Sequence, residues 1–226
     1  MDKEFLKLIE KQGLKLIGKE DRFNFRCTCC GSCCRNREDI LLNIQDVLNI
    51  QTYLNISFQT LIEQYCEMYI GYNSKLPVIR LKPQGKNKIC PFLYKGKCKI
   101  NEIKPFVCAI FPLARITDIN TKDHTKEFYY AIQPITCGAK DKSNSVKEWI
   151  GKYDSPEYFE IARKWNEFLG IISSWVHGLN FEPSRHFYTV IAQFMYENYD
   201  RDDNIAEQIN IRMHYLSKII EKSNEI

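Results

Sequence analysis

Along the C-terminal third of the chain, apolar residues recur every three or four positions. In "SPEYFEIARKWNEFLGIISSWVHG" the stripe Tyr158, Ile161, Trp165, Phe168, Ile172 and Trp175 falls on one helical face. Ser155 is placed to cap that helix, Pro156 suits its first position and Gly178 its end. Two further helices are predicted over about 185–199 and 204–222, the second with Ile205, Ile209, Met213, Leu216 and Ile220 on one side. The same period appears earlier, in Ile44, Val47, Leu48, Ile50 and Leu54 and then in Phe58, Leu61, Ile62, Tyr65 and Met68. It predicts two amphipathic helices with Asn43 and Asn55 or Ser57 as N-caps and Gly71 as the stop. A first helix is expected over "DKEFLKLIEKQ".

Between these segments the pattern changes. "RFNFRC" alternates and reads as a short strand. Residues 76–140 are rich in Pro, Gly and Lys, with β-like runs "PVIRLK", "FPLARIT" and "EFYYAIQ"; the polar "DINTKDHTK" between the last two predicts a hairpin. The expectation is an α+β, mostly helical protein. A loop-rich, cysteine-organised part over 1–143 precedes an all-α part over 144–226 that has no cysteine.

Composition narrows the class. A chain of 226 residues can build a core without covalent staples, so its ten cysteines do not mark a small disulfide scaffold. The charged N-terminus "MDKEFLKLIEKQG" does not read as a signal peptide, which places the protein in the cytoplasm with reduced thiols. The longest apolar run, "FLGIISSWV", is too short for a membrane span. A net charge of +4 is too weak for a dedicated nucleic-acid binder. The expected partner is another protein, neither nucleic acid nor membrane.

The cysteines carry the chemistry. "FRCTCCGSCCR" holds five of them, with Cys27, Cys30 and Cys33 spaced C-x2-C-x2-C, Cys34 directly after and Cys29 in between. Two-residue gaps turn thiolates toward a common centre, as in tetrahedral zinc sites and iron–sulfur runs. The triple repeat favours iron–sulfur, since zinc sites usually draw on two separated pairs. Adjacent side chains diverge, so Cys33 and Cys34 point to a second centre or a bridging role. "CPFLYKGKCKINEIKPFVCAIFP" adds Cys90, Cys98 and Cys108, and "TCGAK" adds Cys137. Eight thiols suffice for two four-thiolate sites or one multinuclear cluster. Cys66 reads as a core residue and Cys29 as a spare thiol near the cluster.

The order "CTCCGSCC", "NIQDVLNI", "CPFLYKGKCKI", "KPFVCAIFP" and "TCG" over residues 23–140 resembles the cysteine-cluster family named for its CxxCxxCC motif, a zinc- or iron-chelating domain also called YkgJ-like. All eight family cysteines have counterparts. The resemblance departs at Lys104 and Ala109, where the family usually has arginine, and at Ala139. It implies zinc or iron as the cofactor; with the triple C-x2 spacing, an iron–sulfur cluster, 4Fe–4S first, is expected ahead of zinc and Cu(I).

Three functions stay open. The first is a metalloprotein with a redox, metal-delivery or maturation role. The second is an S-adenosylmethionine-dependent protein lysine N-methylase, because flagellin methylases share a similar cysteine domain. The third is a zinc-stabilised interaction module. His124, His177, His186 and His214 share no ligand spacing, and no Walker loop, Rossmann fingerprint, G-x-S-x-G or H-E-x-x-H is present, so catalytic residues remain unassigned. The lysines 86, 88, 95, 97, 99 and 104 around Cys90–Cys108 read as charge compensation, a landing surface for an acidic partner, or a solvated loop.

Overall fold

Local capping chemistry sets the helices close to where the apolar period predicts them. The computed structural model describes residues 7, 9–119 and 126–224. In chain order its elements begin with β1 (Lys15–Ile17), β2 (Arg22–Arg26), a 3-10 turn at Ser32–Cys34, α1 (Ile44–Leu54), α2 (Phe58–Tyr65), β3 (Cys66–Ile70) and β4 (Pro77–Leu81). Next come β5 (Leu93–Tyr94), β6 (Lys97–Cys98), α3 (Phe106–Ala109), β7 (Leu113–Ile119), β8 (Lys126–Ile132) and β9 (Ala139–Ser145). The chain closes with α4 (Val146–Ile150), a second 3-10 turn at Gly151–Asp154, α5 (Pro156–His177), α6 (Arg185–Tyr196) and α7 (Ile205–Asn224). The fold is mixed α+β with a helical C-terminal part. Among the described residues the strands form four small antiparallel groups: β1-β8-β7, β2-β9, β3-β4 and β5-β6.

The long helix α5 starts on Ser155, whose hydroxyl accepts from the Tyr158 N–H, with Pro156 in its first turn. Its predicted stripe is buried except for Trp175, where Val176 takes the buried position. The arms of the expected hairpin pair in register from Leu113↔Ile132 to Ile119↔Lys126, while 120–125 lie outside the described residues. The N-terminal helix is seen at 9–11, and most of its predicted span also lies outside them.

One prediction fails at a boundary. The helix expected to reach Met68 stops at Tyr65, and residues 66–70 become a strand paired with β4 from Cys66↔Leu81 to Ile70↔Pro77. The Gly71 N–H donates to the Leu76 carbonyl at 2.9 Å and closes a turn that supplies backbone partners for this segment. Met68, 36% exposed, has no core to gain by remaining helical.

Two apolar cores result, and both draw on residues before and after 143. The larger joins Ile44, Val47, Leu61, Ile79, Phe92 and Ile100 to Phe168, Ile172, Met195 and Ile209. The smaller contains Phe23, Phe25, Phe106, Ile110, Leu113, Tyr130, Val146 and Tyr158. Among the described residues, no helix is long and apolar enough to cross a membrane.

Asp46, fully buried in α1, ties the two cores together. One carboxylate oxygen accepts from the Phe106 N–H at 2.9 Å, and the other closes a capping box with the Asn43 N–H at 3.1 Å. Burial pushes its carboxyl up to about 6, against the opposing pull of those two N–H donors. Because the folded pKa is raised, the stability this group contributes is fully present below about pH 4 and is lost as pH rises through about 6. Asp46→Ala strands the buried Phe106 N–H and the cap, at a cost of about 2 kcal/mol. Urea unfolding of both proteins is expected to show a larger difference near about pH 5 than near about pH 7, since only the parent carries this titration.

Candidate metal centre

Four separate stretches deliver cysteines, each through an identifiable local device. Strand β2 ends at Arg26, which pairs with Ala139 at the start of β9, so Cys27 and Cys137 leave from the same end of one ladder. Gly31, with φ of 72°, turns the chain into the 3-10 turn that carries Cys33 and Cys34. The Cys34 carbonyl then accepts from the Cys90 N–H at 2.9 Å, joining the first stretch to the second.

Cys98 sits opposite Leu93 in the β5–β6 hairpin. Lys95 and Gly96 at its tip have φ of 46° and 76°, the left-handed pair that a two-residue hairpin turn requires. Strands this short are marginal alone. Phe92 and Ile100, each 1% exposed, anchor the hairpin into the larger core, about 1.5–3 kcal/mol apiece. Cys108 lies on the one-turn helix α3, whose Phe106 N–H is the one held by Asp46.

These stretches face one cavity of about 270 Å³ between the two cores. Cys27, Cys30, Cys33, Cys34, Cys90, Cys98, Cys108 and Cys137 all line it, as does Cys29. Phe25, Phe92, Phe111 and Trp149 supply apolar wall, and Arg37, Lys97 and Lys104 supply positive charge. Cys66 is absent from the lining and sits 2% exposed in the larger core, on strand β3. Cys29 is exposed, with φ of 53°, and its N–H points at the Cys27 sulfur at 3.4 Å. His177, His186 and His214 are exposed and away from the cavity, and His124 lies outside the described residues.

Cys33 is the electrostatic hub. Its charge acts on Cys30, Cys34, Cys90, Cys98, Cys108 and Cys137. Its sulfur lies 3.9 Å from that of Cys34, and the hydrogen bond the pair shares favours ionisation of one of the two, with Lys104 and Arg37 adding to the effect on Cys33. The other is correspondingly pushed up by holding the shared proton and by burial. The Ser32 hydroxyl, 3.3 Å from the Cys30 sulfur, lowers Cys30. Burial raises Cys90, Cys98, Cys108 and Cys137. Left to themselves, most of these thiols stay protonated near neutral pH, so a bound cation must displace their protons.

Thiolates around a partly apolar void are donors for soft metals. Among the described residues, however, no three His, Cys, Asp or Glu side chains converge closely enough to hold a lone ion. The donor set fits a metal.

Sequence reasoning missed Arg37 and Asp46. The Asn43-x-x-Asp46 capping spacing was the one visible signal for the second; Arg37 had none. Phe25, Phe111 and Trp149, which close the cavity wall, were also not foreseen.

A family model, CxxCxxCC, described as "Putative zinc- or iron-chelating domain", matches residues 26–143, just over half of the chain. An uncharacterized protein of Methanocaldococcus jannaschii is 29% identical over 108 residues, 47% of this chain and 54% of that protein. The chain thus spans about half the length of this curated relative. No solved structure matches.

Two substitutions separate ligand from scaffold. Cys66→Ser is expected to leave metal content per chain unchanged while lowering stability, read by elemental analysis and urea unfolding. Gly138→Ala removes no thiol, but its Cβ would overlap the Phe25 ring at φ of 78°, beside Cys137. It is expected to reduce metal occupancy in the same assay, and full occupancy would show that Cys137 placement does not matter.

Proposed function

This chain belongs to the CxxCxxCC family, and from that footing we propose that its eight cavity thiolates hold an iron–sulfur centre, 4Fe–4S in the simplest case. Its role would be redox, metal delivery or maturation of a partner protein. The observation that carries the reading is the cavity itself, which all eight family cysteines line, twice the four thiolates that one tetrahedral ion takes. A single tetrahedral zinc, with Zn–S near ~2.3 Å, would draw four sulfurs tightly together. Four thiolates serve one cubane cluster, which leaves enough for a second metal at its edge.

Such a centre, when bound, supplies one-electron chemistry at a potential set by its surroundings. The chain's own residues prepare the site. The adjacent Cys33 and Cys34, which share a hydrogen bond that favours one thiolate, offer a first anchor beside Lys104 and Arg37. Arg37 and Lys104 balance the negative charge that accumulates as further thiols ionise. Phe92 and Trp149 on the wall limit water access, which raises the weight of every nearby charge. Because ligation releases protons, metal retention should strengthen with rising pH and weaken in acid.

Oxygen-free purification followed by elemental and sulfide analysis tests the proposal. A brown protein with iron and acid-labile sulfide in comparable amounts is expected, and a colourless one carrying two zinc ions and no sulfide would overturn it. Cys30→Ser should lose most of the metal and destabilise the cysteine-rich part; retained stoichiometry would contradict its assignment as a ligand. Incubation with labelled S-adenosylmethionine and cell extract should label no protein, and a labelled lysine would favour the methylase reading instead.

A further inference from the structure

Positive charge in this chain is segregated. Residues 82–104 hold seven lysines and one glutamate, a local excess of six, whereas the whole chain carries only +4. The remainder is therefore acidic by two. The basic segment is the one that carries Cys90 and Cys98 and folds into the β5–β6 hairpin. Lys97 and Lys104 reach the cavity lining itself.

Within that segment the charges are concentrated and left without carboxylates. Lys88 is paired with Glu38 at 2.6 Å, but among the described residues Lys86, Lys95, Lys97, Lys99 and Lys104 make no ion pair. Lys95 and Lys99 instead place their ammonium groups 5.4 and 4.7 Å from the centroid of the Tyr94 ring. Tyr94 is 55% exposed, at the centre of this cationic group. Tyrosine and cation together are side chains that anchor protein interfaces, and a partner of opposite sign relieves the repulsion of clustered like charges.

We propose that the β5–β6 hairpin, with Tyr94 flanked by Lys95 and Lys99 and paired across the strands with Lys97, is a docking surface for a carboxylate-rich protein, seated beside the thiol cavity. Nucleic acid fits less well. One short hairpin does not provide an extended track of phosphate contacts. That the docked protein exchanges electrons or metal with the cavity rests on the metal reading above. The docking itself rests only on charge and the exposed tyrosine.

The test uses the full, metal-loaded chain with two probes, a polyglutamate peptide and a single-stranded polythymidylate of matched charge, with affinity read by fluorescence anisotropy across a salt series. Polyglutamate is expected to bind more tightly, weakening as salt rises. The triple reversal Lys95→Glu, Lys97→Glu, Lys99→Glu should lower its affinity more than tenfold, whereas Lys218→Glu with Lys222→Glu should change it less than twofold. Unchanged affinity in the triple variant, or tighter binding of polythymidylate, would overturn the proposal. Zero-length carbodiimide coupling of polyglutamate to the unaltered chain needs no variant to fold. Crosslinks should concentrate on Lys95, Lys97 and Lys99, and an even spread over the surface lysines would also overturn it. If iron and zinc are both absent while polyglutamate still docks at the hairpin, the metal reading fails and the docking surface stands.

Discussion

Sulfur atoms from four stretches of chain are gathered at one partly buried cavity, where burial opposes their ionisation. Burial raises the pKa of Cys90, Cys98 and Cys108, and repulsion from neighbouring thiolates adds to that cost. A cationic centre removes the cost by replacing the protons. The Cys33–Cys34 pair, sharing one hydrogen bond beside Lys104 and Arg37, is where ionisation costs least. In such a site the free energy of metal binding is also free energy of folding.

The protein scaffold around the cavity explains why the thiols can be brought there at all. Their segments are short loops and two-residue strands that could not hold a shape alone. Each is tethered to something larger: the β5–β6 hairpin through Phe92 and Ile100, Cys108 through Asp46 and Phe106, Cys27 and Cys137 through the β2–β9 ladder. The two cores stand on either side, and the helices after residue 155 close the larger one. Removing the metal would relax the cavity, but the helices would keep their own apolar contacts.

Much of this was legible from side-chain period and caps. Helix α5 begins and ends where Ser155, Pro156 and Gly178 place it, because its stripe is long enough for the signal to dominate. The membership of the cavity could also be read, since all eight cysteines of the recognised motif line it and Cys66 does not. What could not be read was set by distant partners. The strand Cys66–Ile70 exists because residues 77–81 return alongside it, and the short strands β1 and β9 exist only through pairing across more than a hundred residues. Asp46 was not singled out in the sequence, because its bond to Phe106, sixty positions away, has no local signature. Arg37 reaches the cavity only in three dimensions.

The central claim is that these thiolates together surround a polynuclear metal group. X-ray absorption at the iron edge of the oxygen-free, metal-loaded chain addresses it directly. The account predicts a first shell made of sulfur alone, with clear iron–iron scattering beyond it. A first shell dominated by nitrogen or oxygen, or sulfur around an isolated metal with no neighbouring iron, would contradict it.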